Sequence, residues 1–67
     1  MTASLTRREI EVLTRVAQGE TARQVALSLG ITKRTVAAHM QSICEKLNST
    51  NGAQAVAIAV TLDLIQP

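Results

Sequence analysis

Thr21-Ala22-Arg23-Gln24-Val25-Ala26-Leu27-Ser28-Leu29-Gly30-Ile31-Thr32-Lys33-Arg34-Thr35-Val36 decides the fold, because it holds two helix starts with one stop between them. The free N–H groups at a helix start need acceptors. Thr21 with Gln24 supplies them as a capping box and opens a short helix over 22–29. Gly30 offers the left-handed conformation that ends it. Only Ile31 and Thr32 separate that stop from a longer helix over 33–47, which Thr32 caps while Ile31 is placed to staple onto Val36. Val25, Ala26 and Leu29 face inward from the first helix. Val36, Met40, Ile43 and Leu47 form one stripe on the second, with Cys44 beside it. A short helix, a tight turn and a longer helix spell a helix-turn-helix.

Working outward, Thr6 followed by Glu9 is another capping box, with Leu5 and Ile10 placed to close as a hydrophobic staple. It opens a helix over 7–18 that ends at Gly19 and turns Ile10, Leu13, Val16 and Ala17 inward. On the other side Asn48-Ser49-Thr50-Asn51-Gly52 is a turn cluster, and Asn51 with Gln54 caps a last helix over 52–62. The pattern predicts an all-α fold, a four-helix bundle with a central helix-turn-helix, in one domain spanning 1–67. The last helix is apolar almost all round through Ala55, Val56, Ile58, Ala59, Val60 and Leu62. Its surplus, around Val56, Ala57 and Val60, is expected to meet a partner, and a second copy is the commonest one. The plainer alternative leaves small Ala57 and a lone Val60 exposed.

Composition narrows the function. A chain of 67 residues buries only about 60% of its unfolded surface, which leaves no room for a deep catalytic cleft, so an enzyme is not expected. Without Phe, Tyr or Trp it cannot stack unpaired bases on aromatic rings, which argues against single-stranded nucleic acid. Cys44 is the sole cysteine, so no internal disulfide forms, and neither zinc spacing nor Cys-x-x-Cys is present. No metal or cofactor is expected. The opening Met1 to Glu9 lacks a signal-peptide core, and the apolar-rich stretch from Ala55 to Ile65 is broken by Thr61 and Asp63. The expected setting is the cytoplasm, away from the membrane. Arg7, Arg8, Arg15, Arg23, Lys33 and Arg34 against Glu9, Glu11 and Glu20 leave the first 36 residues at +3. Lys46 against Glu45 and Asp63 leaves the rest at −1, so a polyanion is expected to meet the first half.

In a helix-turn-helix that reads duplex DNA, the second helix lies in the major groove. The side left over after packing Val36, Met40 and Ile43 is Lys33, Arg34, Thr35, Ala37, Ala38 and Gln41. Gln pairs with adenine, Arg grips guanine or a phosphate, and an Ala methyl meets that of thymine. Lys33 and Arg34 at a helix start oppose the helix dipole, which suits anion binding better than an idle surface. Arg23 and Lys46 are either phosphate contacts or solubility charges. His39 borders the core stripe with no metal or catalytic partner near it. Glu9 and Glu11 serve the cap and the first-turn dipole.

The set Leu5-Thr6-x-Arg8-Glu9, Glu11-Val12-Leu13, Ala17-x-Gly19, Gln24-Val25-Ala26, Leu29-Gly30-Ile31-Thr32, Thr35-Val36, His39, Ile43, Lys46-Leu47 and Gln54-Ala55-Val56 resembles the LuxR-type (GerE-like) DNA-binding domain. The resemblance runs from Leu5 to Ile65. It implies a four-helix domain of a bacterial transcriptional regulator that binds duplex DNA as a homodimer through its fourth helix. Such domains usually form the C-terminus of response regulators and acyl-homoserine-lactone (quorum-sensing) receptors, behind an N-terminal receiver or sensor domain, though short free-standing members exist, so such a domain outside this chain is one expectation. Carried over to this sequence, the DNA-binding motif covers Ala22 to Gln41, with Ala37, Ala38 and Gln41 facing bases and Arg34, Thr35 and Lys46 facing the backbone. Three departures from the family pattern stand out: Ala37 replaces a common Lys or Arg, Gly52-Ala53 replaces Arg-Thr, and Asp63 replaces Gly. Asp can take the left-handed conformation, so the last helix is expected to end properly.

Two rivals stand beside this reading. Region 4 of a sigma factor shares the helix-turn-helix but lacks the Asn-x-x-Gln-Ala-Val fourth helix. A helical protein-interaction module that has lost DNA binding accords with Ala37, Ala38 and a net charge of +2.

Overall fold

The computed structural model describes residues 4–66. The ends of the expected 1–67 domain, residues 1–3 and 67, lie outside the described residues. The described chain forms α1 (Arg7–Ala17), α2 (Ala22–Leu29), α3 (Lys33–Leu47) and α4 (Gly52–Thr61). All described regular structure is helical, as the capping pattern predicts.

Each start is held by its expected cap. The Thr6 hydroxyl accepts from Glu9 N–H at 3.1 Å, and Glu9 Oε1 accepts from Thr6 N–H at 2.8 Å. Thr21 and Gln24 exchange the same pair at 3.2 and 2.8 Å. Thr32 caps α3 through Thr35 N–H, and Asn51 caps α4 through Gln54 N–H. Gln54 also reaches back one residue further, its Oε1 accepting from the N–H and hydroxyl of Thr50.

The stops share one geometry. Gly19, Gly30, Asn48 and Asp63 have φ of 89°, 67°, 54° and 59°. In each case the next N–H returns to a carbonyl five residues back: Glu20 to Arg15, Ile31 to Ala26, Ser49 to Cys44 and Leu64 to Ala59. This is the Schellman arrangement, which satisfies carbonyls otherwise left open at a helix end. It ends α1 at Ala17 and α4 at Thr61, one residue short of each expected boundary.

Val12, Leu13, Val25, Val36, Ile43, Ala55 and Ala59 form the centre of the core. The buried side of α1 differs from the expected one. Val12 and Leu13 are fully buried and Glu9 is buried with them, whereas Ile10, Val16 and Ala17 are half-buried at the margin. α1 packs against α2, α3 and α4 at once, and the side it turns to them is centred on Glu9, Val12 and Leu13, which leaves Ile10 and Ala17 at the edge. On α4 the small Ala55 and Ala59 face the core, which brings that helix close to α1 and α3. With no aromatic residue in the chain, the buried apolar side chains are all Leu, Ile, Val or Ala.

Candidate nucleic-acid interface

The candidate interface centres on α3. Val36, Ile43 and Leu47 are buried, with Met40 and Cys44 half-buried beside them. At 3.6 residues per turn, Arg34, Ala38, Gln41 and Glu45 point within about 60° of the direction opposite that stripe. All are exposed, as are Lys33 at the helix start and Ala37 on the flank. Thr35 is half-buried. Its hydroxyl lies 2.9 Å from that of Thr32, which ties the first turn of α3 to its own cap. Arg23 is exposed on the first turn of α2. His39 is half-buried, in keeping with a packing role.

The ion pairs decide which charges remain free. Arg8 lies 3.8 Å from Glu11 in an exposed pair, and Arg15 lies 3.2 Å from Glu20. Arg7, Arg23, Lys33 and Arg34 form no ion pair among the described residues. Three of these uncommitted cations sit in the helix-turn-helix.

Lys46 stands apart from the others. Its ammonium donates to Glu9 Oε1 at 2.7 Å, and the Ser42 hydroxyl donates to Glu9 Oε2 at 2.7 Å. The sequence left Lys46 open between a phosphate contact and a solubility charge; the fold gives it an internal acid as partner. Burial pushes the Glu9 carboxyl up, but donation from Lys46, Thr6 N–H and Ser42 together outweighs it, and the pKa falls to about 2. Glu9 therefore does more than cap α1: one carboxylate joins that cap to two successive turns of α3. Sequence reasoning missed this because Ser42 and Lys46 lie 33 and 37 positions away. The available signal was an acid in phase with the apolar positions of α1.

On α4, Val56 and Val60 are half-buried against the core, and Ala57 is exposed. Leu62, just past the helix, adds an apolar side chain that is 49% exposed. Leu27 on α2 is 74% exposed, a feature the inward-facing pattern did not address. Beside α3 an open groove of about 600 Å³ runs along Met40, Gln41, Cys44 and Glu45 to the turn at Asn48 and Thr50. Among the described residues no three His, Cys, Asp or Glu side chains gather as metal ligands. No described helix is long and apolar enough to cross a membrane.

A cap-defined short helix, a glycine stop and a longer helix with one open polar side make this a helix-turn-helix domain. Residues 3–59 match the family described as bacterial regulatory proteins, luxR family. The chain belongs to that family, in agreement with the resemblance carried by its motifs. It is 44% identical over 63 residues to the transcriptional activator protein YukR of Yersinia ruckeri, covering 94% of this chain and 28% of that protein. It is 47% identical over 62 residues to the quorum-sensing-dependent regulator RpaR of Rhodopseudomonas palustris, covering 92% and 26%. The chain thus spans about a quarter of the length of these relatives.

Solved structures agree. The transcription factor GerE superposes with a TM-score of 0.89 at 25% identity, over 96% of this chain and 97% of that one. The response regulator ChrA of a heme-sensing two-component system gives 0.90 at 38% identity, over 94% of this chain and 31% of that one. The relatives are transcriptional regulators, which points away from an enzyme.

Proposed function

We propose that this domain binds duplex DNA in a sequence-specific manner as the output module of a transcriptional regulator, with α3 in the major groove. The observation that carries the reading is the outward side of α3, where Arg34, Ala37, Ala38 and Gln41 are exposed and take no part in the core. Gln41 reads an adenine edge, Ala37 and Ala38 approach thymine methyls, and Arg34 holds a guanine or a phosphate. Lys33, Arg23 and Thr35 contact the backbone around the groove, where positive charge displaces condensed counterions. Lys46, with its ammonium on Glu9, assists by holding α3 in place beside the groove.

Val56, Ala57 and Val60 on α4, continued by Leu62, form the homodimer contact. A two-fold dimer then places two copies of α3 on successive major grooves. Regulation reaches the module from a receiver or sensor domain outside this chain, a reading supported by relatives more than three times its length. The domain works in the cytoplasm, a reading supported by the regulatory role of its relatives.

An anisotropy titration on a random duplex at low salt tests the reading. Micromolar or tighter binding that weakens steeply with salt supports it. No binding at micromolar protein favours the protein-interaction module instead.

A further inference from the structure

The outward row of α3 has one more polar member, and neither the caps nor the ion pairs account for it. Glu45 follows Gln41 by one turn, roughly 6 Å along the axis, and continues the row Arg34, Ala38, Gln41 at the same phase. It is exposed, and Gln41 and Glu45 border the same groove. Glu9, Glu11 and Glu20 are each committed to a cation, whereas Glu45 forms no ion pair among the described residues. Lys46, its neighbour in sequence, points its ammonium to Glu9 on the inner side.

A free carboxylate beside a polyanion is unfavourable next to every phosphate, and the penalty is offset only where the duplex presents a donor. In the major groove an acidic side chain accepts from the exocyclic amino group of cytosine. We propose that Glu45 is a specificity-determining residue. It weakens binding to duplexes in general and accepts from a cytosine N4 amino group beyond the base read by Gln41. This inference rests on α3 being the groove-facing helix.

The test runs the whole chain and its Glu45→Ala variant in parallel through selection from a random duplex pool. Affinities are then measured on the enriched duplex and on the unselected pool. Because Glu45 is exposed, the variant keeps its helix content, which circular dichroism checks. The variant is expected to bind the unselected pool about threefold more tightly at low salt, a gain that fades as salt rises. It is also expected to lose preference at one cytosine by about 5- to 150-fold. If the parent enriches a sequence and the variant enriches the same one with the same ratio of affinities, the role of Glu45 is overturned alone. If the parent enriches nothing, the DNA-reading role of α3 falls, and this inference with it.

Discussion

Glu9 on α1 and Lys46 on α3 are 37 positions apart and meet at 2.7 Å, with side chains 5% and 29% exposed. The two members are therefore unequal. Lys46 can turn toward water if its partner is lost, whereas a Glu9 without Lys46 stays inside the bundle with only Thr6 and Ser42 to hold its charge.

Lys46→Met should accordingly destabilise the domain by about 3 kcal/mol at neutral pH, because it strands a buried charge. Adding Glu9→Gln to it should restore part of the loss, with a coupling of about 1–3 kcal/mol in the cycle. Urea unfolding of the parent, both single variants and the double measures this. Strictly additive losses would mean that the pair contributes nothing.

The same carboxylate sets an acid limit. Its folded pKa of about 2 lies below its ordinary 4.5, so the unfolded chain takes up the proton first as pH falls. Stability from this group is complete above about pH 5.5 and drains away between there and pH 2, roughly 3 kcal/mol in all. Urea midpoints across that range should fall steeply for the parent and less for Glu9→Gln, while Ser42→Ala should reduce the size of the drop.

Salt dependence separates the basic residues by their partners. Arg34→Ala should lower the slope of log affinity against log salt by about 0.9 if it neutralises one phosphate. Gln41→Ala should leave the slope intact and relax one base preference by about 1–3 kcal/mol. Equal losses for Gln41→Ala on matched and scrambled duplexes would remove that residue from base reading.

Helix stops offer a pair of opposite effects. Gly30 has φ of 67° and open space where a Cβ would go, so Gly30→Ala meets backbone strain without a clash. A loss of about 1 kcal/mol is expected. Asp63 already bears that strain at φ 59°, so Asp63→Gly should raise thermal stability by a fraction of a kcal/mol up to about 1. A fall in stability for Asp63→Gly would show that its carboxylate does other work.

Ala57 is exposed in the middle of α4. Ala57→Arg should leave the monomer folded while preventing two copies from pairing. Sedimentation on and off a two-half-site duplex reads the change, and an unaltered dimer would place the contact elsewhere.

The parts of the fold legible in the sequence are those written within four residues. Thr6, Thr21, Thr32 and Asn51 cap because each acceptor reaches an N–H one turn ahead, and Gly19, Gly30 and Asp63 stop helices through their own φ. Asn48 was readable only as part of a turn cluster, since Asn takes the left-handed conformation less freely than Gly. The outward residues of α3 were legible as the complement of Val36, Met40, Ile43 and Leu47. What stayed hidden depends on distant chain segments. Nothing local to Ser42 or Lys46 announces Glu9, and nothing in α1 alone reveals that Val12 sits as deep as Leu13.

The Schellman stops and their caps anchor every helix boundary in neighbouring residues, and the core draws only on the inner stripe of α3. Arg34, Ala37, Ala38, Gln41 and Glu45 belong to neither system. Their identities can be rewritten together with little penalty to folding, so, with α3 as the proposed reading helix, retargeting this scaffold to a new recognition sequence would be a matter of five solvent-side positions on one helix.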